Sequence, residues 1–348
     1  MDSFLQNWKL YLGVVAASAA ISFGLTPLVR ALALRRGWLD EPSSSVKTHK
    51  IATPSLGGVA IYAAYAGTLL LLRFWTRFPT GTLHALRSLV IGGTFVFLLG
   101  IVDDLKKPKG LGVKAKFSVQ ILAAVMLVWF GIRIHFINPE YIGLALTLLW
   151  TVGITNAFNI VDIMDALCAS QAAIAALAFL MISLPSEELY VNFSSAALAG
   201  AALGFIPWNL SPKRKIFMGD CGSMLLGYEL AGISMGTRYT QINNVGVYAP
   251  LLILLIPMYD TLFVSVIRMA RGHSPFLGSK DHFALRLEKM GYTRHKVVAM
   301  AAGAAAFLGF CAFLVTQVSM SWALCIYAIL VIEMLMLSRA LARVVMHD

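Results

Sequence analysis

The sequence predicts an all-α fold, a polytopic integral membrane bundle of about 11 transmembrane helices, and three observations carry that prediction. Hydrophobic residues make up 59% of the 348-residue chain against 13% charged, and the mean hydropathy is +0.77, more apolar surface than a soluble domain buries. Apolar runs long enough to cross about 30 Å of hydrocarbon recur about eleven times along the chain. Lys and Arg residues, finally, crowd into alternate connections between those runs. No repeat or extended linker divides the chain, so residues 1–348 are expected to form a single membrane-embedded domain.

The expected spans cover 9 to 29, 55 to 73, 87 to 102, 117 to 133, 141 to 157, 166 to 184, 193 to 210, 222 to 237, 245 to 267, 297 to 316 and 320 to 338. The first is too long for the apolar core of a secretory leader and lacks a small-residue cleavage site, so it reads as a retained helix. The second follows a basic cluster, Pro54 and the Gly57-Gly58 pair. The third runs into Asp103-Asp104, and the fourth follows Lys114 and Lys116. Asn156, Asn159, Asp162 and Asp165 separate the fifth from the sixth, and Lys213-Arg214-Lys215 through Asp220 separate the seventh from the eighth. The ninth carries Asp260 and ends at Arg268, and the last two follow the basic loop that closes at Lys296.

With the amino terminus outside, 22 of the 28 basic residues lie in the inner connections, which orients the chain. Every polar motif then faces the cytoplasm. The net charge of +11 has two readings: anchoring of inner loops to anionic head groups, or neutralisation of an anionic substrate. Cys168, Cys221, Cys311 and Cys325 lack metal-ligand spacing and predict no disulfide framework.

The chemistry-bearing residues gather at the ends of the apolar runs. Asp103 and Asp104 end the third run and are followed by five lysines, which sets opposite charges where a phosphorylated head group would lie. Adjacent helical positions point about 100° apart, so the pair is not expected to chelate one ion together. Asn159, Asp162 and Asp165, spaced by three, come close together if the segment is helical. Carboxylates and amides between apolar stretches are costly without partners and read as a site. Gly219 and Gly222 flank Asp220, which suits a sharp turn with an oxygen ligand for a hard cation, and Phe217 offers a stacking surface. In the last inner loop Arg271, His282 and Arg286 suit phosphate oxygens. The Lys47 to Gly58 stretch, with His49, reads as a tight loop entering the second span.

Taken together, THKIATPSLGG, GIVDDLKKPKGLGVKAKF, NAFNIVDIMD, IFMGDCGS and PMYDTLFVSVIRMARGHSPF, in that order and on one membrane side, resemble the polyprenyl-phosphate N-acetylhexosamine-1-phosphate transferase family, nearest its bacterial undecaprenyl-phosphate GlcNAc-1-phosphate branch. The resemblance runs from about Thr48 to Thr293. It implies a helical bundle with a cytoplasmic active-site cleft, in the inner membrane, that moves a sugar 1-phosphate from a UDP-sugar to a polyprenyl phosphate and releases UMP. It implies Mg²⁺ as cofactor, with Mn²⁺ as the alternative. The implied partners are a UDP-N-acetylhexosamine, a polyprenyl phosphate and the lipid bilayer, with no nucleic acid and with a homodimer left open.

By motif position the catalytic candidates are Asp103, Asp104, Lys116, Asp220 and His282. Substrate-binding candidates are Lys47, His49, Asn156, Asn159, Asp162, Asp165, Phe217, Arg271 and Arg286, and the metal candidates are Asp220 and Asp162. Two stretches depart from the family pattern. Asp162-Ile-Met-Asp165-Ala-Leu stands where Asp-Gly-Leu-Asp-Gly-Leu is usual, and His282-Phe-Ala-Leu-Arg286-Leu where His-x-His-His-Arg-Leu is usual. The competing readings are a phospho-MurNAc-pentapeptide transferase and a catalytically silent scaffold that binds the lipid carrier. A secondary transporter is disfavoured, because its site would lie near the membrane midplane between repeated halves.

Overall fold

A computed structural model of the chain describes residues 2–42, 51–75, 80–107, 109–186, 188–274 and 278–346. Its architecture is all-α. Thirteen helices run in the order α1 (Asp2–Arg36), α2 (Gly58–Trp75), α3 (Thr80–Leu105), α4 (Val113–Trp129), α5 (Glu140–Val161), α6 (Leu167–Ser183), α7 (Leu189–Asn209), α8 (Asp220–Gly236), α9 (Ala249–Ile253), α10 (Leu255–Ala270), α11 (Phe283–Lys289), α12 (Arg294–Gln317) and α13 (Met320–Ala342). Each of the eleven expected spans coincides with helix. In hydrocarbon the backbone must satisfy its own hydrogen bonds, and a helix does so within one segment.

Among the described residues six helices are individually long and apolar enough to cross a bilayer, and a seventh crossing follows if the bent pair at α9 and α10 counts as one. The chain is a multi-pass membrane protein. The ninth expected span is a correction: it is not one helix but a short turn and α9, followed after a 69° bend by α10. Pro257 lies four residues after Ile253, the last residue of α9. Its ring has no N–H to offer that carbonyl, so the helical ladder stops there. The last inner loop, expected as plain connection, contains α11.

Small residues set how closely the helices approach. A Cβ on Gly200 would lie 2.3 Å from the Val15 carbonyl oxygen and one on Gly204 2.2 Å from that of Ala19, so α1 and α7 touch backbone to backbone. Helix α7 is buried along most of its length and forms the centre of the bundle. Helix α13 presents most of its surface outward through Trp322, Ile329, Ile332 and Met336, an apolar face suited to lipid. All four cysteines are free thiols.

Candidate active site

The site begins with an extended ribbon beside the helix ends. Strands β1 (Leu39–Asp40) and β2 (Thr53–Pro54) pair antiparallel, with Asp40 opposite Thr53. The chain after β2 then holds the segment that leads into α8. Phe217 N–H donates to the Pro54 carbonyl at 2.8 Å, and the Phe217 and Met218 carbonyls accept from the Gly57 and Gly58 amides at 2.9 and 2.8 Å. Side chains at those glycines would not fit, since a Cβ on Gly57 would sit 2.4 Å from the Phe205 ring and one on Gly58 2.3 Å from the Gly222 amide nitrogen. The Thr-Pro-Ser-Leu-Gly-Gly stretch thus seats Phe217, Gly219 and Asp220. Gly219 turns with φ +75°, a conformation that favours glycine, and a Cβ there would collide with Asp104 Oδ2 at 2.4 Å.

Asp104 explains why α8 needs no cap from the residues just before it. Its two carboxylate oxygens accept the backbone N–H groups of Asp220 and Cys221, each at 3.1 Å, so the end of α3 caps the start of α8. The side chain of Asp103 accepts the Leu111 amide at 2.6 Å and Lys116 Nζ at 2.7 Å. Two ammonium groups then converge on Asp220. Lys116 Nζ lies 2.8 Å from its Oδ2, and Lys107 Nζ lies 3.3 Å from its Oδ1 while pairing with Asp104 at 2.7 Å. Burial works against the Lys107 ammonium, but the Asp220 and Asp104 carboxylates outweigh it and raise its pKa above the usual lysine range.

Lys107, Lys116 and Asp220 form the polar floor of a cavity of about 950 Å³. Asn156, Asn159, Asp162, Asp165, Phe217 and His282 line it together with Lys107, Lys116 and Asp220. Asn159 Nδ2 donates to Ser223 Oγ at 3.0 Å, and Asn156 Nδ2 donates to Gln120 Oε1 at 2.7 Å. Lys215 pairs with Asp165 at 2.5 Å and stands 5.3 Å above the Phe217 ring. Part of the lining is apolar, with Leu149 and Val152 of α5 and Val264 of α10 contributing to it.

Several expectations land differently in the structure. Asp103 and Asp104, taken from sequence as catalytic, are 3% and 9% exposed and do not line the cavity; their oxygens fix Lys116, Lys107 and the start of α8. Arg286, expected at substrate, is fully buried. It donates to the Asp281 carboxylate at 2.6 Å and to the Leu341 and Val344 carbonyls at 2.9 and 2.6 Å, which ties α11 to the end of α13. Arg271 pairs with Asp281 at 3.0 Å and is absent from the cavity lining. Asp162 is not in register with Asn159 on one helix, because α5 ends at Val161 and Ala166 adopts a left-handed turn. Lys47 and His49 fall outside the described residues.

The structure also adds residues the sequence did not single out. Lys107 and Asp40 line the cavity, and Gln120 and Ser223 orient the two asparagines. Asp260, fully buried on α10, lies 2.7 Å from His282 Nδ1. Only Lys107 carried a usable signal, its position three residues after Asp104.

The donor set fits the hard divalent cation that the sequence implies. Asp103, Asp104, Asp162 and Asp220 bring four carboxylates against the two ammonium groups of Lys107 and Lys116, an excess of two negative charges, and all the donors are oxygens. Asp162 has no hydrogen-bond partner among the described residues. Burial first, then the Asp220 carboxylate, push its pKa up to about 7, the signature of a carboxylate short of positive charge. Among the described residues no three His, Cys, Asp or Glu side chains already converge as ligands, and both Asp220 oxygens are engaged by Lys107 and Lys116.

Residues 86–238 match the family described as Glycosyl transferase family 4. The chain is similar to the decaprenyl-phosphate N-acetylglucosaminephosphotransferase of Mycolicibacterium smegmatis, with 33% identity over 82% of this chain and 78% of the relative. It is similar as well to the probable undecaprenyl-phosphate N-acetylglucosaminyl 1-phosphate transferase of Bacillus subtilis, with 29% identity over 79% and 76% of the two chains. The undecaprenyl-phosphate alpha-N-acetylglucosaminyl 1-phosphate transferase of Escherichia coli shares 27% identity over 80% and 77%.

Proposed function

We propose that this chain, which belongs to glycosyl transferase family 4, transfers N-acetylglucosamine 1-phosphate from UDP-N-acetylglucosamine to a polyprenyl phosphate, with release of UMP, at the cytoplasmic face of the inner membrane. One observation carries the reading: a single cavity is lined both by paired carboxylate and ammonium groups and by apolar side chains of α5 and α10. A water-soluble nucleotide sugar suits the first and a prenyl chain the second.

A phosphate monoester has a second pKa near ~6, so the acceptor is largely dianionic at neutral pH and needs little help as a nucleophile. The obstacle is the meeting of two anions. An acceptor oxygen forms a bond to the sugar-bearing phosphorus of the donor while the bond from that phosphorus to the bridging oxygen breaks, and UMP leaves with the electron pair. Lys116 and Lys107 lower the charge repulsion, held in place by Asp103 and Asp104. Asn159 and Asn156 orient the donor, Phe217 offers its ring to the uracil, and His282 turns a ring nitrogen toward the phosphates. Asp220 and Asp162 would hold Mg²⁺, which supplies charge neutralisation on the diphosphate when bound.

The test uses purified protein with polyprenyl phosphate, Mg²⁺ and a panel of UDP-sugars. Release of UMP and formation of a lipid-linked sugar diphosphate with the N-acetylglucosamine donor are expected. Asp220→Asn should abolish both turnover and metal dependence. Absence of product with every donor, while donor and acceptor still bind, would replace the transferase with a carrier-binding scaffold.

A further inference from the structure

Asp260 does not line the cavity, yet it is a fully buried acid in contact with a residue that does. It sits on α10 with no exposed surface. Its Oδ2 lies 2.7 Å from His282 Nδ1, and its Oδ1 accepts the Phe283 backbone N–H at 3.0 Å. One carboxylate on one helix therefore grips two consecutive residues at the start of another. The residue on the other side of His282 is held as well, because the Asp281 carboxylate accepts from Arg286 Nη2 at 2.6 Å, from Arg271 Nη1 at 3.0 Å and from Ser279 Oγ at 2.8 Å, and its backbone carbonyl accepts from Arg286 Nε at 2.9 Å. Such a clamp exceeds what a solvent-facing loop needs.

We infer that Asp260 is a positioning residue for the transfer reaction, acting through His282: it takes the Nδ1 proton in a hydrogen bond and so directs the other ring nitrogen, Nε2, at the phosphates in the cavity. The inference rests on the transferase reading and adds to it a residue that touches neither substrate. The proton is assigned to Nδ1 from chemistry, since a buried carboxylate beside a ring nitrogen is an acceptor. An imidazole held this way keeps one tautomer and one orientation, as carboxylate partners do for catalytic and metal-bound histidines generally. The negative charge on Asp260 also offsets positive charge on the ring when Nε2 carries a proton toward a phosphoryl oxygen. Where the family pattern shows two further histidines, this chain has Ala284 and Leu285, both buried, so the orientation of a single imidazole has more to decide.

Asp260→Asn makes a sharp test. The amide oxygen can still accept the Phe283 N–H, but the amide nitrogen now donates toward Nδ1 and forces the proton to the other ring nitrogen. Shape is kept, and what is removed is the carboxylate charge that lets the ring hold protons on Nδ1 and Nε2 together. With steady-state UMP release on the full-length protein, kcat is expected to fall about 10- to 100-fold. KM for the UDP-sugar should stay within about threefold, and donor binding by calorimetry should persist. His282→Ala should lower kcat, and Asp260→Asn added to it should lower kcat no further, because Asp260 acts only through the ring. Wild-type kcat in Asp260→Asn or in His282→Ala overturns the inference, and so do additive losses in the double variant. If Asp260→Asn melts more than about 5 °C below the wild type, the same comparison is made with Asp260→Glu, and additivity there is equally decisive. A wild-type protein that releases no UMP refutes the transferase reading itself, an outcome distinct from all of these.

Discussion

Gly100→Ala should disable the site without touching a charged residue. Gly100 lies one turn before Asp103 and Asp104 on α3, where that helix crosses the start of α8. A Cβ there would sit 2.3 Å from the Cys221 Cα, 2.4 Å from its amide nitrogen and 2.7 Å from the Asp220 carbonyl carbon. Every one of these is backbone, so no flexible side chain can swing aside. Ordinary contact begins near 3.5 Å, so the two helices must part by roughly 1 Å. The 3.1 Å bonds from Asp104 to the Asp220 and Cys221 amides would then stretch to about 4 Å, beyond hydrogen-bond reach. Overpacking of this kind costs about 1–3 kcal/mol in stability. A displacement of about 1 Å between reacting groups can cost on the order of 10²-fold in rate. The assay is UMP release for kcat beside a thermal melt in detergent. Gly67→Ala is the control, because a Cβ there meets nothing within 4 Å and alanine favours a helix. A Gly100→Ala protein with kcat within about threefold of wild type and an unchanged melt would refute the claim that close approach of α3 to α8 builds the site.

Two further outcomes follow from buried charge. The pKa of Asp162, about 7 in the metal-free fold against an ordinary 3.8, means that the unfolded chain gives up this proton first. The metal-free protein therefore loses stability as pH rises from about 4 toward 7. Asp162→Asn removes that loss, so its thermal advantage over wild type should grow between about pH 5 and 7 and level off above; an advantage that is flat with pH would contradict the assignment. Arg286→Ala leaves Asp281 buried beside fewer donors and frees the Leu341 and Val344 carbonyls, which should cost about 3–5 kcal/mol by chemical denaturation. Loss of donor affinity without loss of stability would restore Arg286 to the substrate.

The fold was legible in the sequence because lipid permits so few solutions. Eleven apolar runs required eleven helical stretches, but the break at Leu254 went unread, because the run of Leu and Ile ahead of Pro257 looks like one continuous span. The candidate site was legible as a set of motifs but not as an arrangement. Asp220, Asp162, Asn159 and Phe217 reach one cavity, yet nothing local shows that Asp103 and Asp104 stand behind its wall rather than in it. Their partners, the Leu111, Asp220 and Cys221 amides, lie 8 to 117 residues away. Arg271 and Arg286 looked like phosphate ligands because a basic loop on an inner face invites that reading. Only the fold reveals that Asp281 and the end of α13 take up their donors. Gly57 and Gly58, weak as a signal alone, acquire a reason once Phe217 and Gly222 are seen against them.

Helix ends are where such a protein can do polar chemistry, and their dipoles explain the division of labour among the acids. A carboxylate is favoured at a helix amino end and disfavoured at a carboxyl end, by a few tenths to about 1 kcal/mol each. Asp220 opens α8 and is favoured there, while Asp103 and Asp104 close α3 and are not. Asp104 escapes the penalty by docking on the amino end of α8, so one helix dipole compensates for another. Asp103 has no such recourse and relies on Lys116 and the Leu111 amide. Asp162, just past the carboxyl end of α5 and with no side-chain hydrogen-bond partner among the described residues, keeps its unfavourable position uncompensated. The acid left in greatest electrostatic need is thus a cavity-facing one, which is the place where an incoming cation gains most.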